Sequence, residues 1–164
     1  MAGARRAVKA REAVPAEISL VKPAAPWGAA RRHVLVVDDV ADNRQILALF
    51  CEQFGLAYDI AEDGLQAVEA ARTGRFDLIL MDIHMPRMDG MHAARAIRSL
   101  PGAAAGAPII AISTSSDPAH AAHYRAWGMT DVVTKPIQPS RLLEAVTAAL
   151  SQSGSVVKLV RAQA

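Results

Sequence analysis

Four short apolar runs in this 164-residue chain each end at a polar position able to handle phosphate. His33-Val34-Leu35-Val36-Val37 leads into Asp38-Asp39, Asp77-Leu78-Ile79-Leu80-Met81 into Asp82, Pro108-Ile109-Ile110-Ala111-Ile112 into Ser113, and Val132-Val133-Thr134 into Lys135. Brought together, three carboxylates, a hydroxyl and an ammonium can hold a divalent metal, offer a nucleophilic carboxylate and neutralise a phosphoryl group. Mg²⁺ prefers octahedral oxygen coordination, combining one or two carboxylates with waters and substrate phosphate. Asp39 and Asp82 are therefore expected as direct ligands, with Asp38 holding a metal-bound water. Clustered carboxylates raise one another's pKa, so a cation is needed to keep all three ionised at neutral pH. A carboxylate can itself accept a phosphoryl group, and such a transfer asks for positioning and charge neutralisation more than for a general base. Lys135 supplies a compact, mobile positive charge. The Ser113 hydroxyl and the Thr114 backbone N–H can donate hydrogen bonds to phosphoryl oxygens. Each residue has a plainer reading alone: a helix cap for the Asp pair, a solvated lysine, a strand-end hydroxyl. A cap explains one carboxylate but not two, nor their match with Asp82.

The elements needed to position these groups follow from periodicity. The runs above read as strands, with a further short one over Leu56 to Ile60. Between them lie segments with helical apolar spacing: Asp42 to Phe54, closed by Gly55 as a C′ glycine, then Leu65 to Arg72, closed by Gly74. A loop with Pro86 and Gly90 leads into a helix over Met91 to Leu100. Pro118 to Trp127 has Asp117 as N-cap, Pro118 at its first position and Gly128 as its stop. The last helix, Pro139 to Leu150, carries Leu142, Leu143, Val146 and Leu150 on one face. Strand and helix thus alternate five times, which predicts an α/β fold with a parallel sheet covered on both faces. In such sheets ligands bind beyond the carboxyl ends of the strands. The Leu56–Ile60 strand alone ends without a functional polar residue, which suits an edge.

Composition narrows the setting. The length predicts one domain with a closed core. A single cysteine, Cys51, excludes a disulfide framework and fits a reducing compartment. The apolar runs are too short to span a bilayer, and no apolar segment with a cleavage site follows the basic start. A cytoplasmic location is expected. Residues 1–32 hold seven basic and two acidic side chains, whereas residues 33–164 hold eleven basic and fourteen acidic. The high pI therefore belongs to a Pro-interrupted N-terminal stretch, read as a flexible basic arm in preference to a targeting peptide or a nucleic-acid arm. Trp27, near its end, is a candidate to fold back on the domain.

The segments Val36-Val37-Asp38-Asp39, Met81-Asp82-Ile83-His84-Met85-Pro86-Arg87-Met88-Asp89-Gly90, Pro108 to Ser113 and Thr134-Lys135-Pro136-Ile137 resemble a response-regulator receiver domain of two-component signalling. The resemblance covers about residues 33 to 151, with 152–164 left as a C-terminal tail. It implies a flavodoxin-like, doubly wound, five-stranded parallel sheet in order 2-1-3-4-5 with five helices. It also implies Asp82 as phosphoacceptor, fed by a sensor histidine kinase or histidine phosphotransfer protein. Asp38 and Asp39 would be the acidic pair for Mg²⁺, joined by Asp82 and the backbone carbonyl of His84. Ser113 would be the switching hydroxyl and Lys135 the phosphate-contacting lysine, with a cis Lys135-Pro136 bond. The side chains at His84 and Ser115 would tune the phosphate lifetime. One position departs from the family pattern: Val132 stands where an aromatic ring usually turns inward on phosphorylation. The chemistry should survive, but the usual readout cannot, and coupling is expected through Ser113 and its loop alone.

The reading is a stand-alone receiver, a phosphoprotein that signals by protein contact and is no enzyme beyond its self-catalysed phosphorylation and dephosphorylation. A phosphorelay shuttle or phosphate sink fits the same residues. A Mg²⁺-dependent phosphohydrolase is disfavoured because such enzymes place the nucleophile after the first strand in an Asp-x-Asp pattern. A binding module independent of phosphorylation is disfavoured because the site residues are all present. His120 and His123 lack further ligands for a metal set. Nothing near Cys51 argues for an activated thiolate, and the methionines of 81–91 suit packing. For the Val156–Val160 stretch, a frayed tail is favoured over an added strand or a docking peptide.

Overall fold

The computed structural model describes Trp27 and residues 30–161, with side chains through Gln152. Five β-strands alternate with five α-helices: β1 (His33–Val37), α1 (Ala41–Gln53), β2 (Ala57–Ala61), α2 (Gly64–Thr73), β3 (Leu78–Asp82), α3 (Gly90–Arg98), β4 (Ile109–Ser113), α4 (Pro118–Ala126), β5 (Asp131–Thr134) and α5 (Pro139–Arg161), with a 3₁₀ turn at Gly102–Gly106. All strand pairs are parallel and the order is β2-β1-β3-β4-β5, the expected fold, with the edge position of β2 included.

Alternation along the strands divides the core between the two faces. On one face Leu35, Val37, Ile79, Met81, Ile109 and Ala111 pack against α2, α3 and α4. On the other, Val34, Val36, Leu78, Leu80, Ile110, Ile112 and Val133 meet Leu47 and Cys51 of α1 and Leu142, Val146 and Leu150 of α5. Because β1, β3 and β4 are covered on both sides, their sequences read as continuous apolar runs rather than as alternation. Trp27 joins the second cluster, so the end of the basic stretch does pack on the domain.

The helix signals act where the sequence puts them. Asp63, Asp89 and Asp117 cap α2, α3 and α4 by accepting the N–H of Gln66, His92 and Ala119. Gly55 and Gly128, at φ 73° and 99°, follow α1 and α4 in the left-handed conformation that glycine adopts without strain. The Lys135-Pro136 bond is cis. The helix of α5 continues past Leu150 to Arg161, so the Val156–Val160 stretch is helical and neither a frayed tail nor an added strand. Most of the basic arm lies outside the described residues, as do the side chains beyond residue 152.

Candidate functional site

Parallel register carries the four polar strand ends to one edge of the sheet. Val37 pairs with Met81, which sets Asp38 level with Asp82. Asp82 pairs with Ile112, and Ser113 with Thr134, so the Ser113 hydroxyl and Lys135 follow at the same end. Oxygens of Asp38, Asp39 and Asp82 lie within 4.8 Å of one another. Asp38 is fully buried, Asp82 nearly so, and Asp39 exposed.

Lys135 binds the two buried carboxylates together. Its Nζ donates to Asp38 Oδ2 at 3.1 Å and to Asp82 Oδ1 at 3.1 Å. The other Asp38 oxygen accepts the Val40 N–H (2.9 Å) and the Asn43 side-chain amide (3.2 Å). Burial pushes the Asp82 pKa above the ordinary range; Asp38 and Asp39 add to that, and the Lys135 ammonium opposes it. Burial alone would depress Lys135, but its hydrogen bonds to Asp82 and Asp38 prevail and raise it. The donor set suits a hard divalent cation: carboxylate oxygens converge, one of them on an exposed residue, where metal-bound waters find room. A cation there would relieve the repulsion that burial and like charge impose on Asp82. His84, whose carbonyl was expected as a further ligand, follows directly on the β3 loop with its side chain exposed.

The β3–α3 loop is fixed by close backbone contacts. Gly90 N–H donates to the Ile83 carbonyl at 2.9 Å. A Cβ at Gly90 would lie 2.1 Å from the Asp82 carbonyl oxygen, so only glycine allows α3 to start this close to the strand end. Arg87, at φ 65°, forms an ion pair with the buried Asp63, and Gly64 N–H donates to the Met88 carbonyl, which ties the loop to α2.

Ser113 is fully buried, and its Oγ accepts the Ser115 N–H at 3.1 Å. The same Oγ lies 3.1 Å from the Tyr124 hydroxyl of α4. Ser115 Oγ is hydrogen-bonded to the His120 ring and accepts the Asp117 N–H at 3.2 Å. Thr114 is exposed at the start of this loop. Val132, half-buried on β5, pairs with Ala111 and packs on the core face shared by Tyr124. Three contributors escaped the sequence reading. Asn43 supports Asp38, and Arg44 clamps the β1–α1 loop through the carbonyls of Asp38 (2.8 Å) and Asp39 (3.0 Å) and through Glu62 (3.2 Å). Tyr124 is the third, and nothing in the local sequence of α4, which also holds His120, His123 and Arg125, marks it as the partner of Ser113.

Known proteins resemble this chain in sequence and fold. The family model of the response regulator receiver domain matches residues 34–147. The sensor histidine kinase AruS of Pseudomonas aeruginosa is 38% identical over 115 residues, 70% of this chain and 12% of that protein. The chain thus spans about an eighth of the length of that relative. Among solved structures, the receiver domain of the sensor histidine kinase PA1611 from Pseudomonas aeruginosa, with a magnesium ion coordinated in its active-site cleft, is 29% identical with a TM-score of 0.68, covering 74% of this chain and 99% of that one. The co-crystal structure of the Saccharomyces cerevisiae phosphotransfer protein Ypd1 with the receiver domain of its downstream response regulator Ssk1 also matches, at 27% identity and a TM-score of 0.66, over 73% of this chain and 88% of that one. The fold, the strand-end carboxylates and the profile match agree: this chain belongs to the response regulator receiver domain family.

Proposed function

We propose that the chain, with residues 33–151 as its receiver unit, accepts a phosphoryl group on Asp82 from the phosphohistidine of a sensor histidine kinase or histidine phosphotransfer protein. It then signals through its own surface to a protein partner. The observation that carries this is the convergence of Asp38, Asp39 and Asp82 within 4.8 Å, with Lys135 hydrogen-bonded to two of them, at the carboxyl edge of the sheet. An Asp82 carboxylate oxygen attacks the phosphorus, the N–P bond of the donor breaks, and the imidazole leaves. Asp38, Asp39, Asp82 and the His84 carbonyl would hold Mg²⁺, which supplies charge neutralisation at the phosphoryl oxygens. Lys135 turns from its carboxylate partners toward a phosphoryl oxygen, and Ser113 with the Thr114 N–H donates to the others. His84 and Ser115 flank the approach of water and set the lifetime of the acyl phosphate.

Incubation with a small labelled phosphodonor such as acetyl phosphate, with and without Mg²⁺, tests the reading. Alkali-labile label that needs Mg²⁺ and disappears in Asp82→Asn is expected. Label retained in Asp82→Asn, or none on the wild type from any small donor or from a phosphorylated phosphotransfer protein, would overturn it.

A relay role is favoured by a second observation. Val40, Ile46 and Leu49, each nearly half exposed, place apolar side chains on and just before α1, close in sequence to Asp39. Exposed apolar side chains on the helix that follows Asp38 and Asp39 suit the docking of a phosphotransfer helix. Return of label from the phosphorylated chain to a phosphotransfer protein would distinguish a shuttle from a terminal regulator.

A further inference from the structure

We propose that Tyr124 of α4 is the positioning residue that senses the Ser113 hydroxyl, and that α4, not β5, is the element through which this receiver reports its phosphorylation. The inference rests on the reading of Asp82 as phosphoacceptor.

A rotation of the Ser113 side chain moves its Oγ between two sets of partners. Either oxygen of the Ser113–Tyr124 pair can be the donor, so it is the position of Oγ that couples the two. In the present arrangement Ser113 Oγ and Tyr124 Oη lie 3.1 Å apart in a buried setting, with the Ser115 N–H already donating to Oγ. A phosphoryl group on Asp82, at the end of the neighbouring strand, offers stronger charged acceptors. Once Ser113 turns to donate there, the Tyr124 hydroxyl is left buried without this partner, which is costly. The cost is relieved if the ring moves to reach water or a new partner.

Movement of this ring has consequences that no other α4 side chain shares. Among the described residues, Tyr124 is the one buried residue of Pro118–Ala126, and the remainder of the helix is half-buried or exposed. It is thus the pin that holds α4 to the sheet. The loop leading into α4 moves with the same hydroxyl: Ser113 Oγ is bonded to Ser115, and Ser115 Oγ to Asp117 N–H and the His120 ring. Val132 of β5 has an aliphatic side chain and no group that could exchange a hydrogen bond with Ser113. Tyr124 therefore takes over, from a different element, the coupling that Val132 cannot perform.

Beryllofluoride with Mg²⁺, a non-covalent mimic of an aspartyl phosphate, tests this on the full chain. Trp127, the C-cap residue of α4, packs on His92 and Arg95 of α3 and reports the position of α4. The two tryptophans of the chain, Trp27 and Trp127, give separable ¹⁹F signals when replaced by fluorotryptophan, assigned with Trp127→Phe. Beryllofluoride should shift the Trp127 signal in the wild type and in Val132→Ala. Tyr124→Phe keeps the ring but removes a bond made only in the resting state. It should bind beryllofluoride roughly threefold to tenfold more tightly with a reduced Trp127 shift. In a Ser113→Ala background, Tyr124→Phe should no longer change affinity, since the pair has already been broken. Binding without any Trp127 shift, or an unchanged affinity in Tyr124→Phe, would overturn the role of Tyr124 while leaving Asp82 as acceptor. Failure of the wild type to bind beryllofluoride with Mg²⁺ would overturn the phosphoacceptor reading itself.

Discussion

Lys135 holds two buried carboxylates at 3.1 Å each, and removing it costs more than breaking a surface pair because both carboxylates would be left buried without a compensating charge. The same contrast between buried and solvated groups sorts the other reactive side chains. Cys51, almost fully buried between α1 and the sheet, has its thiol pushed up to about 12 by burial, with Glu52 adding to the effect. The thiolate is the reactive form, so Cys51 should resist a thiol reagent such as DTNB at pH 8 in the native protein and react at once in denaturant. Stoichiometric reaction of the native chain within seconds would show that Cys51 is not held in this core.

At the scale of elements, α3 carries a testable cap. Asp89 Oδ1 accepts the His92 N–H at 2.8 Å, and its carboxylate also meets the His92 ring. Partial burial would raise the Asp89 pKa, but the backbone and side-chain bonds from His92 outweigh it and hold the carboxyl below its ordinary value of 3.8. A depressed folded pKa means that Asp89 stabilises the fold above its unfolded pKa. That contribution is lost as pH falls from about 4 through the lower folded value. Asp89→Ala should therefore cost about 1 kcal/mol at pH 7, measured by urea unfolding, and the gap to wild type should shrink toward pH 3. A gap that stays constant down to pH 3 would mean that the carboxylate is not the stabilising group.

The elements themselves were largely legible, because buried parallel strands leave continuous apolar runs and the Asp caps and stop glycines are local signals. Strand ends shifted by one residue at Asp82 and Ser113, since both join the ladder before the chain turns away. The polar strand ends that the sheet gathers at one edge were also legible, as each follows or ends a strand. Arg44 and Tyr124 were not. Their partners, the carbonyls of Asp38 and Asp39 and the Ser113 hydroxyl, are set by how α1 and α4 dock, which no local pattern records. The length of α5 was missed because the apolar face that marks a helix ends near Leu150 while the backbone continues to Arg161.

For the whole molecule, the helices are not all held equally firmly by the core. Leu142, Ala145, Val146, Ala149 and Leu150 bury a continuous stripe of α5, and Ala93, Ala94 and Ile97 do the same for α3. Beyond the ring of Tyr124, α4 has no such stripe among the described residues. Free energies of local opening follow buried apolar contact, so a helix whose one buried side chain is Tyr124 should open without the rest of the fold. Native-state hydrogen exchange should find the amides of residues 122–127 exchanging by a local opening insensitive to urea, while those of β1, β3 and β4 exchange only on global unfolding. Equal protection in α4 and the central strands would contradict this. If the helix does open in this way, a protein partner need not wait for a covalent signal to meet it. A small fraction of unmodified chains would already display the exposed form, so a basal level of signalling, set by the strength of one tyrosine's hold, would be built into the molecule.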